Sequence, residues 1–221
     1  MAIADDLASV CRAASACTRC PQLATTRTQV VFGAGSAGAD LLFVGEAPGR
    51  GEDVQGLPLT GRAQDLLAEL LAGIGTSLEA VFVTNAVKCR PPGSRDPLPQ
   101  EIANCQDYLF RQLALVEPKV VCPLGNFATK LLRGDSTPIT KLHGVPEVRT
   151  IGPRTVRLLP LFHPAAALYT PALMATLRED FKQLGPLLAL PAPPQPEPVA
   201  PPPEPEPEPP DEPDDEQLGL F

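Results

Sequence analysis

Four short apolar runs, each followed by a helix-like segment, constrain the fold of this chain more than any other feature. The runs lie at 40–44, 81–87, 119–123 and 156–162. Their length and nearly continuous hydrophobicity are typical of strands that are buried on both faces. The helix-like segments lie at 62–74, 99–116, 126–132 and 171–184. This alternation predicts a three-layer α/β/α fold, in which helices cover both sides of a central, mainly parallel four-stranded sheet.

The composition changes abruptly at Pro191. The chain has 221 residues and a formal charge of −8, but its last 31 residues hold nine acidic residues, no Lys or Arg, and 13 of the 29 prolines. The rest of the chain is therefore nearly neutral. We predict a folded domain over 1–190 and a disordered, acidic, proline-rich linker over 191–216. Residues 217–221 form a separate terminal peptide.

The sequence has no segment that predicts a membrane or secreted protein. It lacks a run of about 18 apolar residues, which a membrane-spanning helix needs. The first 15 residues contain acids where a secretory signal needs a basic flank and an apolar stretch. We therefore expect a protein inside the cell, where cysteines are more often metal ligands or buried small residues than disulfides.

Polar motifs follow all four predicted strands. They are Gly45-Glu-Ala-Pro-Gly49, Asn85 with Lys88-Cys-Arg-Pro-Pro92, Gly125-Asn126, and His163-Pro164. In an open α/β sheet the ligand crevice forms at the carboxyl ends of the strands. The four motifs together therefore predict one site at this edge.

Four of the six cysteines have a spacing typical of a metal site. Cys17 and Cys20 form a Cys-x-x-Cys pair, Cys89 follows the second predicted strand, and Cys105 lies in the next helix. Four thiolates suit either zinc or an iron–sulfur cluster. A redox pair of thioredoxin type, or six thiols that are simply buried, are the alternatives. Cys122 lies inside an apolar strand, which predicts a core position.

Read in order, these motifs resemble the family 4 uracil-DNA glycosylases. The resemblance rests on Cys17-x-x-Cys20, GEAPG at 45–49, GLPLTGR at 56–62, Thr84-Asn85 running into KCRPP, Cys105, and HPAAAL at 163–168. It implies a monomeric α/β enzyme with a 4Fe-4S cluster on Cys17, Cys20, Cys89 and Cys105, with zinc as the alternative metal. In this family the cluster is expected to hold the structure together and not to take part in the chemistry.

The resemblance implies hydrolysis of the N-glycosidic bond of deoxyuridine in DNA, which releases uracil and leaves an abasic site. Such an enzyme must flip the nucleotide out of the stack. Carried over by position, Asn85 would pair with the uracil edge, and His163 would donate to the departing uracil oxygen as a neutral imidazole. Glu52 would position water or stabilise the sugar cation, with the adjacent Asp53 as a competitor for this role.

Other residues of the motifs would complete the uracil pocket. Gly45, Glu46 and the backbone amides around Ala47 would line it. Relatives usually have Phe at the position of Leu59, where the ring stacks on uracil, so we expect weaker stacking here. The leucine, together with the absence of an aspartate at position 47, favours the alternative of an iron–sulfur DNA-binding adaptor or sensor without glycosylase activity.

Basic residues near the sheet edge are candidates for DNA contact. These are Lys88, Arg90, Arg95, Lys141 and His143. They would touch the phosphate backbone or wedge into the duplex without reading sequence. Because the body is nearly neutral, the expected affinity is modest and sensitive to salt.

The last five residues, Gln-Leu-Gly-Leu-Phe, resemble the bacterial sliding-clamp-binding motif. Gln217, Leu218, Leu220 and Phe221 would dock into a hydrophobic pocket of the clamp at the end of a long acidic spacer. The alternative is that the peptide folds back onto the body. A clamp partner implies a bacterial cytoplasmic protein that works at the nucleoid.

Overall fold

The computed structural model describes residues 2–196, which contain a six-stranded sheet. The strands are β1 (Ala34–Gly35), β2 (Leu41–Gly45), β3 (Phe82–Asn85), β4 (Val120–Pro123), β5 (Glu147–Ile151) and β6 (Arg154–Leu158), in the order β1-β3-β2-β4-β6-β5. The neighbours β3, β2, β4 and β6 are parallel, and they are the four strands that the apolar runs predict. The mainly parallel sheet is thus confirmed.

Two edge strands enlarge the predicted four-stranded sheet to six. β1 pairs with β3 and β5 pairs with β6, both antiparallel. The sequence of β5, Glu-Val-Arg-Thr-Ile, carries two charges and alternates between half-buried and exposed positions. An edge strand with one solvated face lacks the continuous apolar run by which a buried strand is recognised, and β1 has only two residues.

Helices surround the sheet. They are α1 (Ala2–Ser15), α2 (Pro21–Thr26), α3 (Arg50–Gln55), α4 (Gly61–Ala72), α5 (Pro99–Val116), α6 (Gly125–Arg133), α7 (Pro164–Ala167), α8 (Pro171–Phe181) and α9 (Leu184–Ala189). α5 has the predicted bounds, because a proline opens it and a left-handed Glu117 closes it before Pro118. The single helix predicted over 171–184 is instead α8 followed by the start of α9.

Alternate side chains of each parallel strand enter two separate apolar layers. In β2, Leu42 and Val44 belong to the layer that contains residues of α1 and α5. Leu41 and Phe43 belong to the layer that contains the leucines of α4 and residues of α8. This division follows from the two-residue period of a strand. The three-layer α/β/α arrangement is therefore confirmed.

The body continues slightly beyond the boundary predicted at residue 190. Pro193 is buried, and the Gln195 side chain both accepts from the Thr155 amide (3.1 Å) and donates to the Thr155 carbonyl (2.9 Å). The remainder of the predicted linker and the peptide 217–221 lie outside the described residues. Within residues 2–196, no helix is both long and apolar enough to cross a membrane.

Candidate active site

The strand register brings the four polar motifs to one edge of the sheet. Gly45 of β2 pairs with Asn85 of β3, and Val44 pairs with Pro123 of β4. One residue further along, Leu124 bridges to Leu161 in parallel. The loops after β2, β3, β4 and β6 therefore leave the sheet side by side, and together they form a candidate active site.

The Gly45–Gly49 loop is joined to the end of β3. The amides of Ala86 and Val87 donate to the carbonyls of Gly45 (2.9 Å) and Glu46 (3.0 Å). A Cβ atom at position 45 would lie only 2.2 Å from Asn85 Oδ1. Glycine is therefore required at this position, because any side chain would displace the Asn85 amide.

Asn85 presents a buried amide with little internal bonding. It is 4% exposed. Within the described part of the chain its side chain makes one hydrogen bond, from Nδ2 to the Pro58 carbonyl, at 3.3 Å. A buried amide whose N–H and C=O groups lack hydrogen-bond partners destabilises the protein, and a bound ligand can supply those partners. Asn85 therefore has the polarity and the spare bonding capacity of a recognition residue.

His163 has a fixed tautomer. Its Nδ1 accepts a hydrogen bond from the Ala165 amide at 3.1 Å, so in the neutral ring the proton resides on Nε2. Burial lowers the pKa of His163 below its usual 6.5, with the charge of Glu52 acting in the opposite direction. A Cβ atom added at Gly125, where φ is +87°, would lie 3.4 Å from His163 Cβ, so these two loops lie close together. The imidazole is therefore neutral near pH 7 and has an N–H to donate.

The structure separates the two adjacent carboxylates by their contacts. Glu52 accepts a hydrogen bond from Thr60 Oγ1 at 2.6 Å. Asp53 is 1% exposed, accepts from both the amide (2.9 Å) and the hydroxyl (2.8 Å) of Thr28, and lies 3.3 Å from Arg90 Nε. Asp53 is thus occupied in holding the loop around Thr28. Glu52 is the carboxylate whose charge reaches His163.

Three other predicted pocket residues differ in their surroundings. Glu46 is half-buried, and burial together with the charge of Asp96 raises its pKa. Ala47 is half-buried against the layer that contains α1 and α5. Leu59 is 7% exposed and belongs to the apolar layer that contains the α4 leucines. Much of the Leu59 side chain is therefore committed to the core.

The prediction that Lys88 contacts DNA is wrong. The residue is 1% exposed, and its Nζ donates to Thr84 Oγ1, the Asn85 carbonyl and Gln112 Oε1, each at 2.6 Å. Burial lowers the pKa of Lys88 to about 7, while the charge of Cys105 opposes this shift. Acceptors from β3 and α5 therefore enclose the side-chain nitrogen.

The other predicted DNA contacts also have internal partners, except one. Arg90 lies beside Asp53, and Arg95 forms a two-pronged ion pair with Glu101 at 2.6 and 2.8 Å. His143 Nδ1 lies 2.9 Å from Asp180 Oδ2. Lys141 is exposed and forms no ion pair within residues 2–196. Of the five, Lys141 is the one whose charge is free for phosphate.

Two exposed arginines that lie near Glu52 and Thr60 in the sequence are further candidates for DNA contact. Arg50 begins α3 and Arg62 lies at the start of α4, and both are exposed without an ion pair in the described part of the chain. They flank Glu52 and Thr60 in the sequence. Arg50 directly follows the GEAPG motif and Arg62 ends the GLPLTGR motif, which is a signal that could have identified them.

The four predicted metal-binding cysteines line one cavity. It is bounded by Cys17, Cys20, Cys89 and Cys105 together with Leu23, Val30, Val87 and Tyr108. Cys11 and Cys122 do not line it, and Cys122 is fully buried in β4, as predicted. The Cys-x-x-Cys turn reaches the other two thiols because α1 packs on α5.

Each of the four sulfurs accepts a hydrogen bond from nitrogen. The donors are Arg19 Nε to Cys17 (3.5 Å), Asn104 Nδ2 to Cys20 (3.5 Å), Arg27 Nη1 to Cys89 (3.1 Å) and the Lys88 amide to Cys105 (3.2 Å). Burial raises the pKa of Cys89 to about 11 and also raises that of Cys105. For Cys17, hydrogen bonds from Tyr108 and Arg19 outweigh burial, so its pKa is lowered. A bound cation would therefore favour the thiolate forms of Cys89 and Cys105, which burial disfavours.

Comparison with known proteins agrees with this arrangement. The sequence profile of the Uracil DNA glycosylase superfamily matches residues 32–184. The type-4 uracil-DNA glycosylase of Archaeoglobus fulgidus is 43% identical over 188 residues, covering 83% of this chain and 94% of the relative. That of Sulfurisphaera tokodaii is 40% identical over 192 residues, covering 85% and 87%. That of Thermotoga maritima is 43% identical over 150 residues, covering 67% and 76%. The chain therefore belongs to the uracil-DNA glycosylase superfamily and, within it, to the type-4 enzymes.

Proposed function

We propose that this DNA-repair glycosylase hydrolyses the N-glycosidic bond of deoxyuridine in DNA with Asn85, His163 and Glu52 as the central groups. The supporting observation is the sheet edge, where a sparsely bonded buried amide lies at the end of β3, a neutral imidazole follows β6 and a carboxylate follows β2. Cleavage builds negative charge on uracil and positive charge on the sugar. This edge offers donors for the first and a carboxylate for the second.

Asn85 selects the base in this proposal. A flipped uracil presents a carbonyl acceptor next to an N–H donor, and an amide held in one orientation matches that pair. Cytosine presents the reverse polarity and would leave buried groups unpaired, at a cost of about 1–3 kcal/mol each. Gly45, Glu46 and the amide at Ala47 line the same pocket, and Leu59 contributes an apolar contact where an aromatic ring would stack.

His163 stabilises the departing uracil. Its Nε2–H donates to the uracil oxygen on which charge develops, while the Ala165 amide holds Nδ1. A neutral donor suits this role. The depressed pKa of His163 keeps the ring neutral at neutral pH, and the hydrogen bond from the Ala165 amide fixes the tautomer. The proton stays on nitrogen, and the released uracil leaves as a hydrogen-bonded anion.

Glu52 faces the sugar side of the broken bond. Its carboxylate, oriented by Thr60, stabilises positive charge on the deoxyribose and orients the attacking water. The water forms the new bond to the sugar carbon and releases one proton to solvent. Asp53 cannot take this part, because its oxygens are bonded to Thr28. Exposed Arg50, Arg62 and Lys141 are the proposed phosphate contacts around the everted nucleotide.

The cysteine cavity is proposed to hold a 4Fe-4S cluster. Four thiols, each with an N–H donor, match the ligands and hydrogen bonds of such clusters. Zinc on the same four thiolates is the alternative metal. When bound, the cluster ties α1 and the Cys17–Cys20 turn to the segment after β3.

The terminal peptide is proposed to bind the bacterial sliding clamp, so that a monomeric enzyme works at the nucleoid in the cytoplasm. Gln217, Leu218, Leu220 and Phe221 lie outside the described residues, and the sequence alone supports this part. Deleting residues 217–221 should abolish capture by immobilised clamp yet leave excision from short oligonucleotides unchanged. Retained capture would contradict the proposal.

Excision on defined strands tests the catalytic proposal. The enzyme is incubated with matched oligonucleotides that contain either uracil or thymine at one position, and alkali then cleaves the abasic sites. We expect cleavage of the uracil strand only. His163→Ala should slow single-turnover excision by about 10²-fold or more, and excision at the wild-type rate would remove His163 from the mechanism.

A further inference from the structure

Lys88 contacts both functional regions of the molecule. Its amide donates to Cys105 Sγ at 3.2 Å, and it directly precedes Cys89. Its side chain runs back along the end of β3, where Nζ donates to the Asn85 carbonyl at 2.6 Å. One buried residue therefore joins the cysteine cavity to the strand end that carries the proposed uracil-reading amide.

The surroundings of Nζ fit an ammonium group. Three acceptors lie at 2.6 Å, from Thr84, Asn85 and Gln112, and an ammonium has three protons to donate. A neutral amine would have two protons and would direct its lone pair at one of these oxygens. No carboxylate pairs with Lys88 among the described ion pairs, and its three acceptors are neutral oxygens.

The acceptors are themselves fixed. Thr84 Oγ1 donates to the Phe32 carbonyl at 2.8 Å, and Gln112 Nε2 donates to the same oxygen at 2.7 Å. The Lys88 carbonyl accepts from the Val31 amide at 2.8 Å. The loop before β1 thus fixes both side-chain acceptors of the ammonium and the main chain of Lys88.

Asn85 needs this support because its own side chain has little. Its one hydrogen bond among the described residues is the 3.3 Å contact to Pro58. Both polar groups of the peptide bond between Asn85 and Ala86 are held. The Asn85 carbonyl accepts from Lys88 Nζ, and the Ala86 amide donates to the Gly45 carbonyl. The direction of the Asn85 amide is therefore set mainly through the main chain.

We propose that Lys88 is a positioning residue for uracil recognition, whose ammonium fixes the last peptide of β3 so that Asn85 presents its amide in one orientation. The inference rests on the role proposed for Asn85. It replaces the surface role predicted for this lysine with an internal one. It also implies that disturbance at the cysteine cavity reaches the uracil site through residue 88.

Lys88→Met tests the proposal, since it keeps the length and removes the donors. We expect the single-turnover rate constant for excision from uracil DNA to fall about 10-fold or more. The affinity for uracil-free DNA should stay unchanged. The slope of log affinity against log salt should also stay unchanged, whereas loss of a phosphate contact would reduce it by about one. Wild-type kcat, or a reduced salt slope, would overturn the proposal.

Two further variants separate positioning from folding. Thr84→Val removes one of the three acceptors with almost no change of shape, and it should lower kcat about 2- to 10-fold with unchanged DNA affinity. If Lys88→Met does not fold, wild-type kcat in Thr84→Val overturns the proposal. Lys119→Met is the control, because Lys119 pairs with Asp40 at the opposite end of the strands and its loss should leave kcat and the salt slope unchanged.

Failure of the positioning role of Lys88 can be distinguished from failure of the recognition role of Asn85. If Asn85→Ala excises uracil at the wild-type rate, the role of Asn85 fails whatever Lys88 does. If Asn85→Ala is inactive while Lys88→Met and Thr84→Val are fully active, only the positioning role fails. The visible absorbance of a 4Fe-4S cluster, measured in every variant, reports whether the cysteine cavity is intact.

Discussion

The proposed uracil site and the cysteine cavity share the segment from Asn85 to Cys89 but are built in opposite ways. At the proposed uracil site, the Asn85 side chain has only one internal hydrogen bond among the described residues. At the cysteine cavity, every sulfur already accepts a hydrogen bond from nitrogen. Spare bonding capacity is typical of groups that meet a transient substrate, whereas saturated ligands are typical of a permanent structural group.

The largest expected effect is on chemistry at the uracil site. Asn85→Ala should lower single-turnover kcat by roughly 10²- to 10³-fold, because it removes the polar contact to the base in the transition state. The melting temperature should change little, since only one long hydrogen bond is lost. A large fall in the melting temperature of this variant would break the contrast between the two regions.

Substitution of a cysteine that lines the cavity should mainly lower stability. Cys105→Ala should lower the free energy of unfolding by about 3 kcal/mol or more, which is roughly 6–12 °C in Tm for a domain of this size. The absorbance near 400 nm should also be lost. Cys122→Ala is the matched control, because this thiol is buried in β4 away from the cavity and its loss should cost about 1 kcal/mol with the absorbance retained.

A smaller effect is expected from pH. Because burial lowers the pKa of His163 below 6.5, protonation of this ring should reduce excision as the pH falls below that value. Protonation also disrupts the bond from the Ala165 amide to Nδ1. The stability contributed by the neutral ring falls in the same direction, since the unfolded chain binds the proton more tightly.

The rate of excision between pH 4.5 and 8 measures this limb. In His163→Gln the side chain at position 163 does not titrate. Excision by this variant should be slower overall, and it should lack the part of the decline at acid pH that protonation of His163 causes. An identical acid limb in the variant would assign the titration to another group, such as Glu46, whose pKa is raised.

The smallest expected effect concerns DNA affinity. Arg62→Ala should weaken binding of uracil-free DNA only a few-fold and reduce the salt slope by about one, because it removes one of the proposed phosphate contacts. Arg95→Ala is the comparison, since its guanidinium is paired with Glu101. It should leave the salt slope unchanged and lower stability instead, and the reverse pattern would exchange the two assignments.

The elements that the sequence predicts well are those with strong local patterns. The four parallel strands and α5 follow from continuous apolar runs and from prolines at helix ends, and these interactions lie close in the chain. β5 was missed because its alternating, charged sequence matches a half-solvated edge, which becomes recognisable only when β6 is there to pair with it. The first residues after 190 were assigned to the linker because the contact of Gln195 with Thr155 spans 40 positions.

The sequence by itself determined the α/β class, the edge of the sheet where polar loops gather, and which four cysteines belong together, because strand order in the chain and motif spacing carry that information. Only the tertiary structure decided the fate of each charge: Lys88 turned inward to three acceptors, and Asp53 turned to Thr28 while Glu52 remained at the site. The physical reason is that the free energy of a charged side chain depends on partners from distant segments. Those partners are absent from any local stretch of sequence.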